Sequence, residues 1–376
     1  MSRQFLSGND AFALGIRLAK PSVISAYPIT PQTVVVERLS QYVENGSLDA
    51  EFIHVESEHS ALSCAIGASA AGVRTFTATS SQGLLYMAEC LPYAAGGRFP
   101  VVMMNANRAV ALPWNIYGDQ SDSLSQLACG WIQAYAEDAQ ESLDLALMSY
   151  HVAENPRVAV PFMVNLDGFH LTHTYEIVDV PAQAQADAFL PPYRTDNKLD
   201  FAAPKNMAFS AGPEHNKVFR RSHHEAVLRA REAITECEHR FAEIFGRQYS
   251  GLVDAYQTED ADYIVVTLGS VSGLVRDVAD ELRAKGMKAG VLRLRYLRPF
   301  PGPETREAVG RAKAVAVLEK DVSPGKGGAV FAEIDGVSAN VRLNAIGGLG
   351  GEDISAESLR NVFTALAEGK EGELWL

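Results

Sequence analysis

Few side chains in this sequence stand where chemistry is possible, and most of them follow short apolar runs. VESEHSALSCAIGASAAG puts Glu56 and Glu58 between a strand-like run and an Ala-rich helix. A carboxylate there can cap the helix and complement its dipole, or serve as an acid–base group. Arg108, in NRAVALPWNIYGDQSDS, follows another apolar run and precedes a loop holding Trp114, Asn115, Asp119, Gln120 and Asp122. A guanidinium there suits bidentate capture of a carboxylate, or a surface ion pair with Asp119 or Asp122. YPITP flanks Thr30 with Pro28 and Pro31, a stiff turn formed by Tyr27, Pro28, Ile29 and Thr30. TSSQGLL carries Ser81, Gln82 and Gly83 from a strand into a helix, where a glycine lets a ligand approach the backbone.

Other patterns exclude common chemistries. GxGxxG after the first strand, GxxxxGK[ST] and HExxH are absent. So is a Gly-Asp-Gly loop with a distant Asn, since Gly118-Asp119 lies in YGDQSD. His170 with His173 and His223 with His224 lack a third ligand at metal spacing and read as loop or surface residues, so no metal site is expected. Cys64, Cys90, Cys129 and Cys237 lie far apart, with no CxxC, and read as reduced cytoplasmic thiols. Gly348–Asp353, GLGGED, reads as a structural turn or an anion-binding loop.

The elements that must position these residues alternate. Helices are expected from Asn9 or Asp10 to Lys20 and over Thr33–Glu44, Glu58–Ala70, Gln82–Ala95 and Ala139–Asn155. Strands are expected at Val23–Tyr27, Phe52–Val55, Thr75–Thr79, Val101–Asn105, Trp131–Tyr135 and Val160–Asn165. That order implies a parallel sheet with helices on both faces, and functional loops at the strands' carboxyl ends. An Ala- and Pro-rich stretch, 180–209, reads as a connecting segment, followed by a charged helix over Lys217–Arg247. A second, smaller α/β pattern then begins: strands at Tyr263–Leu268, Ala289–Leu294, Ala314–Glu319 and Val341–Ile346, with helices at Gly273–Lys285 and Ser355–Ala367. The boundary is placed between a domain of residues 1–250 and one of 251–376. A net charge of −13 argues against nucleic-acid or anionic-membrane surfaces, and no run is long enough for a membrane span.

Taken together, YPITP, SEHSAL with GASAAG, FTATSSQGLLYM, NRAVALPWNIYGDQSDS, GWIQAYAEDAQE and VNLDGFHLTHTYE occur in that order, followed by FGRQY, YIVVTLGS, VLRLRYLRPFP and GLGGEDIS. The chain thereby resembles, over nearly its whole length, the α subunit of pyruvate:ferredoxin oxidoreductase and its 2-oxoacid:acceptor relatives. The resemblance implies a thiamine-diphosphate-type pyrimidine-binding domain followed by a transketolase-C-terminal-like domain. It implies oxidative decarboxylation of a 2-oxoacid to acyl-CoA, with coenzyme A as co-substrate. A β subunit would supply the diphosphate and Mg²⁺ site, which accounts for the missing Gly-Asp-Gly loop. Iron–sulfur clusters ([4Fe-4S]) would lie in partner chains, with γ and ferredoxin-like δ subunits completing the complex, and ferredoxin or an NAD-linked flavin subunit accepting electrons. By position, Glu58 corresponds to the catalytic glutamate at the aminopyrimidine N1′, and Thr30 and Arg108 to the residues that hold the substrate carboxylate. Tyr27, Pro28, Ile29, Ser81, Gln82, Gly83, Asn115 and Asp119 would lie near the cofactor. Pyruvate is the expected substrate. Gln120 stands where pyruvate members often carry His and, with Trp114 nearby, keeps 2-oxoisovalerate, phenylglyoxylate or a non-oxidative thiamine reaction as alternatives.

Overall fold

The computed structural model describes residues 2–207 and 210–376. In chain order, the first part runs β1 (Ser2–Ser7), α1 (Gly8–Ala19), β2 (Val23–Ala26), α2 (Thr33–Glu44), β3 (Glu51–His54), α3 (Glu58–Ala70), β4 (Thr75–Thr79), α4 (Ser81–Tyr86), α5 (Leu91–Gly96), β5 (Val102–Asn107), α6 (Ser121–Leu124), β6 (Ile132–Tyr135), α7 (Ala139–Ala153), β7 (Phe162–Asp167), β8 (Tyr175–Val180) and α8 (Gln183–Phe189). A long helix, α9 (Pro213–Phe245), leads to β9 (Val253–Tyr256), β10 (Tyr263–Thr267), α10 (Val271–Ala284), β11 (Ala289–Leu294), β12 (Tyr296–Arg298), α11 (Gly302–Val309), β13 (Ala314–Glu319), α12 (Ala329–Ile334), β14 (Val341–Ile346), α13 (Ala356–Ala367) and β15 (Gly372–Trp375).

Two sheets organise the molecule. The first has the order β12-β6-β7-β5-β4-β2-β3 and is parallel except for the antiparallel β12–β6 edge. Every residue of β4, β5 and β7 is buried, as a sheet covered by helices on both faces requires. The second has the order β15-β14-β13-β10-β11-β9, parallel except for β9. In the first sheet the chain leaves β2 towards β3 on one side, while β4 continues to β5 on the other. The loops after β2 and β4 therefore diverge and open a crevice at the carboxyl edge, the usual place for a ligand in an open α/β sheet.

The structure departs from the sequence expectations where long-range partners decide. Ser2–Ser7 and Tyr175–Val180 form a separate antiparallel ribbon, although neither stretch carries a strong strand signal. The helix expected over Gln82–Ala95 is broken between Tyr86 and Leu91 because Pro92 has no N–H to continue it and restarts the helix in its first turn. The charged helix begins at Pro213 rather than Lys217 for the same reason. The stretch expected to be connecting contains α8. Strand β12, beyond the expected boundary at 250, pairs with β6 in the first sheet. Strands β9 and β15 and helices α11 and α12 carried no recognised signal and take their form from packing in the second layer.

Candidate active site

Glu58 opens α3, whose N-cap is Ser57: the Ser57 hydroxyl accepts the Ser60 N–H at 3.2 Å. The cap frees Glu58 from capping its own helix. Its residue is 8% exposed, and its carboxylate makes no hydrogen bond among the described residues. An acceptor at the edge of the interior with no protein donor is open to an arriving N–H. Glu56, one turn outside, is exposed; the Ser60 hydroxyl bonds it and holds its carboxyl below the ordinary range.

The turn after β4 faces Glu58. A Cβ on Gly83 would lie 2.6 Å from Thr79 Oγ1 and 2.7 Å from Glu58 Oε1, so only glycine fits. Thr79 Oγ1 and Gln82 Nε2 are buried without a partner. Ser81 adopts a left-handed backbone (φ 51°); its hydroxyl donates to Ala109 O at 2.6 Å, and its N–H to Asp122 Oδ2 at 3.0 Å. Orphaned polar atoms and a Cβ-free cradle against a bare carboxylate suit a flat, donor-bearing heterocycle such as the aminopyrimidine of thiamine diphosphate.

Arg108 lies at the end of β5 and is 5% exposed. Its Nε donates to Asn115 O at 3.1 Å and its Nη1 to Thr30 O at 2.9 Å, while the guanidinium lies 5.5 Å from the Trp114 ring centroid. Neither Asp119 nor Asp122 pairs with this side chain; Asp122 takes the Arg108 backbone N–H instead, at 3.1 Å. The Arg108 side chain has backbone carbonyls but no carboxylate as partners among the described residues, which suits it to an anion. Burial depresses its pKa, and Asp122 opposes that. The Thr30 turn is held by Gln32, whose Nε2 donates to Tyr27 O at 2.8 Å and whose N–H donates to Ile29 O at 2.9 Å. Thr30, Tyr27 and Pro28 are exposed at the crevice, and Ile29 is half-buried.

The rest of the long loop turns to the second domain. Asn115 Nδ2 donates to Gly350 O at 3.2 Å, and Asp119 Oδ2 accepts the Gly350 N–H at 3.0 Å. The GLGGED segment does receive an anion, and that anion is Asp119. Burial raises the Asp119 pKa and drives that of Asp321, across a cleft of about 650 Å³, up to about 6, with Asp119 adding repulsion. Gln120 is also committed here: its Nε2 donates to Asp167 Oδ1 at 2.9 Å, beside Ser270 and Lys320. Gln120, which stands where pyruvate members often carry His, is thus engaged at the contact between domains.

The partners of two groups were beyond sequence reasoning. Asp122 is fully buried at the junction of three elements, and Lys320 meets Asp167 at 3.2 Å across the domain boundary. No local spacing links either to its partners. Among the described residues no three His, Cys, Asp or Glu side chains form a metal site, and no helix is long and apolar enough to cross a membrane.

With this geometry established, comparison with known proteins decides the family. Residues 15–239 match the family described as pyruvate flavodoxin/ferredoxin oxidoreductase, thiamine diphosphate-binding, and residues 261–359 match pyruvate:ferredoxin oxidoreductase core domain II. The chain belongs to the pyruvate/2-oxoacid:ferredoxin oxidoreductase family. It is an α-type subunit of the PorA/VorA kind within a multi-subunit enzyme, and its first domain is of the thiamine-diphosphate-binding type. It is 45% identical to the pyruvate synthase subunit PorA of Methanothermobacter thermautotrophicus, over 100% of this chain and 98% of that one. PorA of Pyrococcus furiosus is 46% identical over 98% of this chain and 95% of its own length. The ketoisovalerate oxidoreductase subunit VorA of Pyrococcus horikoshii is 42% identical over 96% and 92%. Among solved structures, a 2-oxoglutarate:ferredoxin oxidoreductase from Magnetococcus marinus superposes with a TM-score of 0.76 at 21% identity. That match covers 97% of this chain but spans only 65% of the longer one. A split-gene transketolase superposes with a TM-score of 0.52 at 12% identity. These last two show the shared fold.

Proposed function

We propose that this α subunit binds the pyrimidine half of thiamine diphosphate at Glu58 and works in the oxidative decarboxylation of pyruvate to acetyl-CoA. The observation that carries the reading is the bare, buried Glu58 carboxylate facing a glycine with no room for a methyl group. When bound, the coenzyme supplies the nucleophilic carbon and electron sink that decarboxylation of a 2-oxoacid needs. Glu58 would share a proton with the pyrimidine N1′, and the Thr79, Gln82 and Gly83 wall would hold the ring against it. Arg108 pairs with the substrate carboxylate through the guanidinium edge left open beyond Thr30 O and Asn115 O. Thr30 lies beside it at the crevice mouth, and Trp114 covers the guanidinium from water. Pyruvate is preferred because the PorA relatives match at 44–46% against 42% for VorA; 2-oxoisovalerate is the second candidate.

The remaining parts come from other chains, in the cytoplasm. The diphosphate and Mg²⁺ site belongs to a β-type partner. Clusters in the β or ferredoxin-like δ chain take the electrons onward to ferredoxin or, through a flavin chain, to a nicotinamide, and a γ chain completes the complex. The docking face fits the surface around Glu58. There α3 and its C-cap present Ser63, Gly67 and Ala71 to the outside, with Tyr86 58% and Tyr93 65% exposed alongside. Small residues allow close backbone approach, and aromatic residues are favoured anchors.

The test is viologen reduction by the purified complex with CoA and pyruvate or 2-oxoisovalerate. Glu58→Gln is expected to lower turnover by about 10²-fold or more, the usual scale for a lost acid–base group. Full activity of that variant, or no dye reduction with any 2-oxoacid, refutes the reading.

A further inference from the structure

Asp122 receives five hydrogen bonds. Its Oδ2 accepts the backbone N–H of Ser81 at 3.0 Å, the backbone N–H of Arg108 at 3.1 Å and Asn105 Nδ2 at 3.2 Å. Its Oδ1 accepts Asn107 Nδ2 at 2.8 Å and the Ser123 N–H at 2.7 Å. The donors come from the turn after β4, the end of β5 and the start of α6, so one side chain joins three segments that sequence separates. We propose that Asp122 is a positioning residue: its carboxylate clamps the Ser81 turn and the Arg108 backbone together, so that Gly83 meets Glu58 and the Arg108 guanidinium meets the substrate in one fixed geometry. The inference rests on the reading of Glu58 and Arg108 given above.

The clamp acts through two neighbours. Ser81 sits in a sparsely populated left-handed conformation, which persists only when its surroundings over-determine it. Its N–H to Asp122 and its hydroxyl to Ala109 O supply that constraint, and the next two residues are Gln82 and Gly83. On the other side, the Arg108 N–H bond holds the Cα from which the guanidinium reaches Thr30 O. Asp122 itself is fully buried and contributes no atom to the crevice wall.

The role requires a carboxylate. Two oxygens offer about four acceptor sites and no donor, and every neighbour here is a donor. Asparagine has the same shape but turns an NH₂ towards one set of donors, leaving them unpaired in a buried site. Exchanging the partners repairs most of this. With Asp122→Asn and Asn107→Asp together, the amide oxygen at 122 can face Ser81, Arg108 and Asn105 while its NH₂ donates to the new carboxylate at 107. The Ser123 N–H is left over, the oxygen at 107 that is already without a partner stays so, and Ser123 Oγ, which accepts from Asn107 Nδ2 at 2.8 Å, has to turn its own hydrogen to the new carboxylate.

The experiment measures steady-state kinetics of the purified complex with pyruvate, CoA and a viologen, and thiamine diphosphate affinity after cofactor removal. Asp122→Asn is expected to raise KM for pyruvate at least tenfold and to weaken thiamine diphosphate binding, with KM for CoA unchanged. The exchanged pair is expected to bring KM for pyruvate back to within about threefold of wild type. A fall in kcat with KM for pyruvate unchanged, or an exchanged pair whose KM stays raised tenfold, overturns the proposal. Where Asp122→Asn does not assemble, the exchanged pair decides by the same criterion. Arg108→Gln, measured alongside, separates the two readings. If it leaves KM for pyruvate at the wild-type value, the site reading itself fails. If it raises KM while Asp122→Asn does not, only the clamp fails.

Discussion

At the scale of single residues, the site is defined by groups left without partners. Glu58 has no donor, Thr79 Oγ1 and Gln82 Nε2 have no complement, and Arg108 has no counter-ion among the described residues. Orphaned side-chain atoms occur elsewhere in the interior as well, so the proposed site rests on two of them meeting the bare Glu58 carboxylate and the Gly83 cradle. Gly83 makes the idea testable. An added methyl would press on Glu58 Oε1 and Thr79 Oγ1, and overpacking of this kind costs about 1–3 kcal/mol. Gly83→Ala is therefore expected to weaken thiamine diphosphate binding by about tenfold, read as the cofactor concentration needed to restore activity to stripped complex. Unchanged cofactor dependence would remove Gly83 from the site. Glu58, Thr30, Arg108 and the Ser81–Gly83 turn could be named as candidates from sequence because each lies within four residues of a strand's carboxyl end. Asp122 carried no such signal: its meaning depends on five donors brought in from elsewhere.

At the scale of elements, buried charge decides how the two sheets are joined. Arg295, between β11 and β12, bonds Glu141 on α7 at 2.9 Å and pairs with Glu238 on α9; Arg293 of β11 also pairs with Glu141. All four side chains are almost fully buried. The two guanidiniums hold the Glu141 carboxyl below its ordinary range against the opposing effect of burial. Removing one member leaves an uncompensated charge in the interior, which costs about 3–5 kcal/mol. Arg295→Met is expected to lower stability by that amount in denaturant unfolding; a loss under about 1 kcal/mol would show that the network contributes little. The sequence showed VLRLRYLRPFP only as an apolar run with interspersed arginines. That β12 would leave its own sheet and pair with β6 followed from the arginines' partners on α7 and α9, which lie far away in the chain.

At the scale of the whole molecule, the second domain closes over the long loop of the first. Asp167 draws together Gln120, Ser270 and Lys320, and Asp119 binds Gly350. Burial raises several carboxyls: Asp138 and Asp321 to about 6, and Glu319 to about 7. Their folded pKa values lie above the unfolded ones, so the folded chain keeps protons that the unfolded chain releases. Stability from these groups is fully present below about pH 4 and is lost as pH rises through about 6 to 7. Asp167 and Glu141 are lowered, mainly by their cationic partners working against burial, so their contribution is lost on the acid side. The melting temperature of the chain is expected to fall between about pH 5 and about pH 7.5. A rise across that interval would mean that the three raised carboxyls are solvated better than their burial implies.

What the sequence alone determined was the alternation of elements, the two α/β units and the residues at strand ends. Periodicity, proline and capping residues are local, and a parallel sheet sends its strand ends to one edge whatever the details. Only the tertiary structure decided which of those residues lack partners, that Asp122 ties two turns together, and that Asn115, Asp119 and Gln120 serve the boundary between domains. Each of these depends on which distant donor or acceptor arrives within about 3 Å, and that distance is set by packing rather than by spacing along the chain.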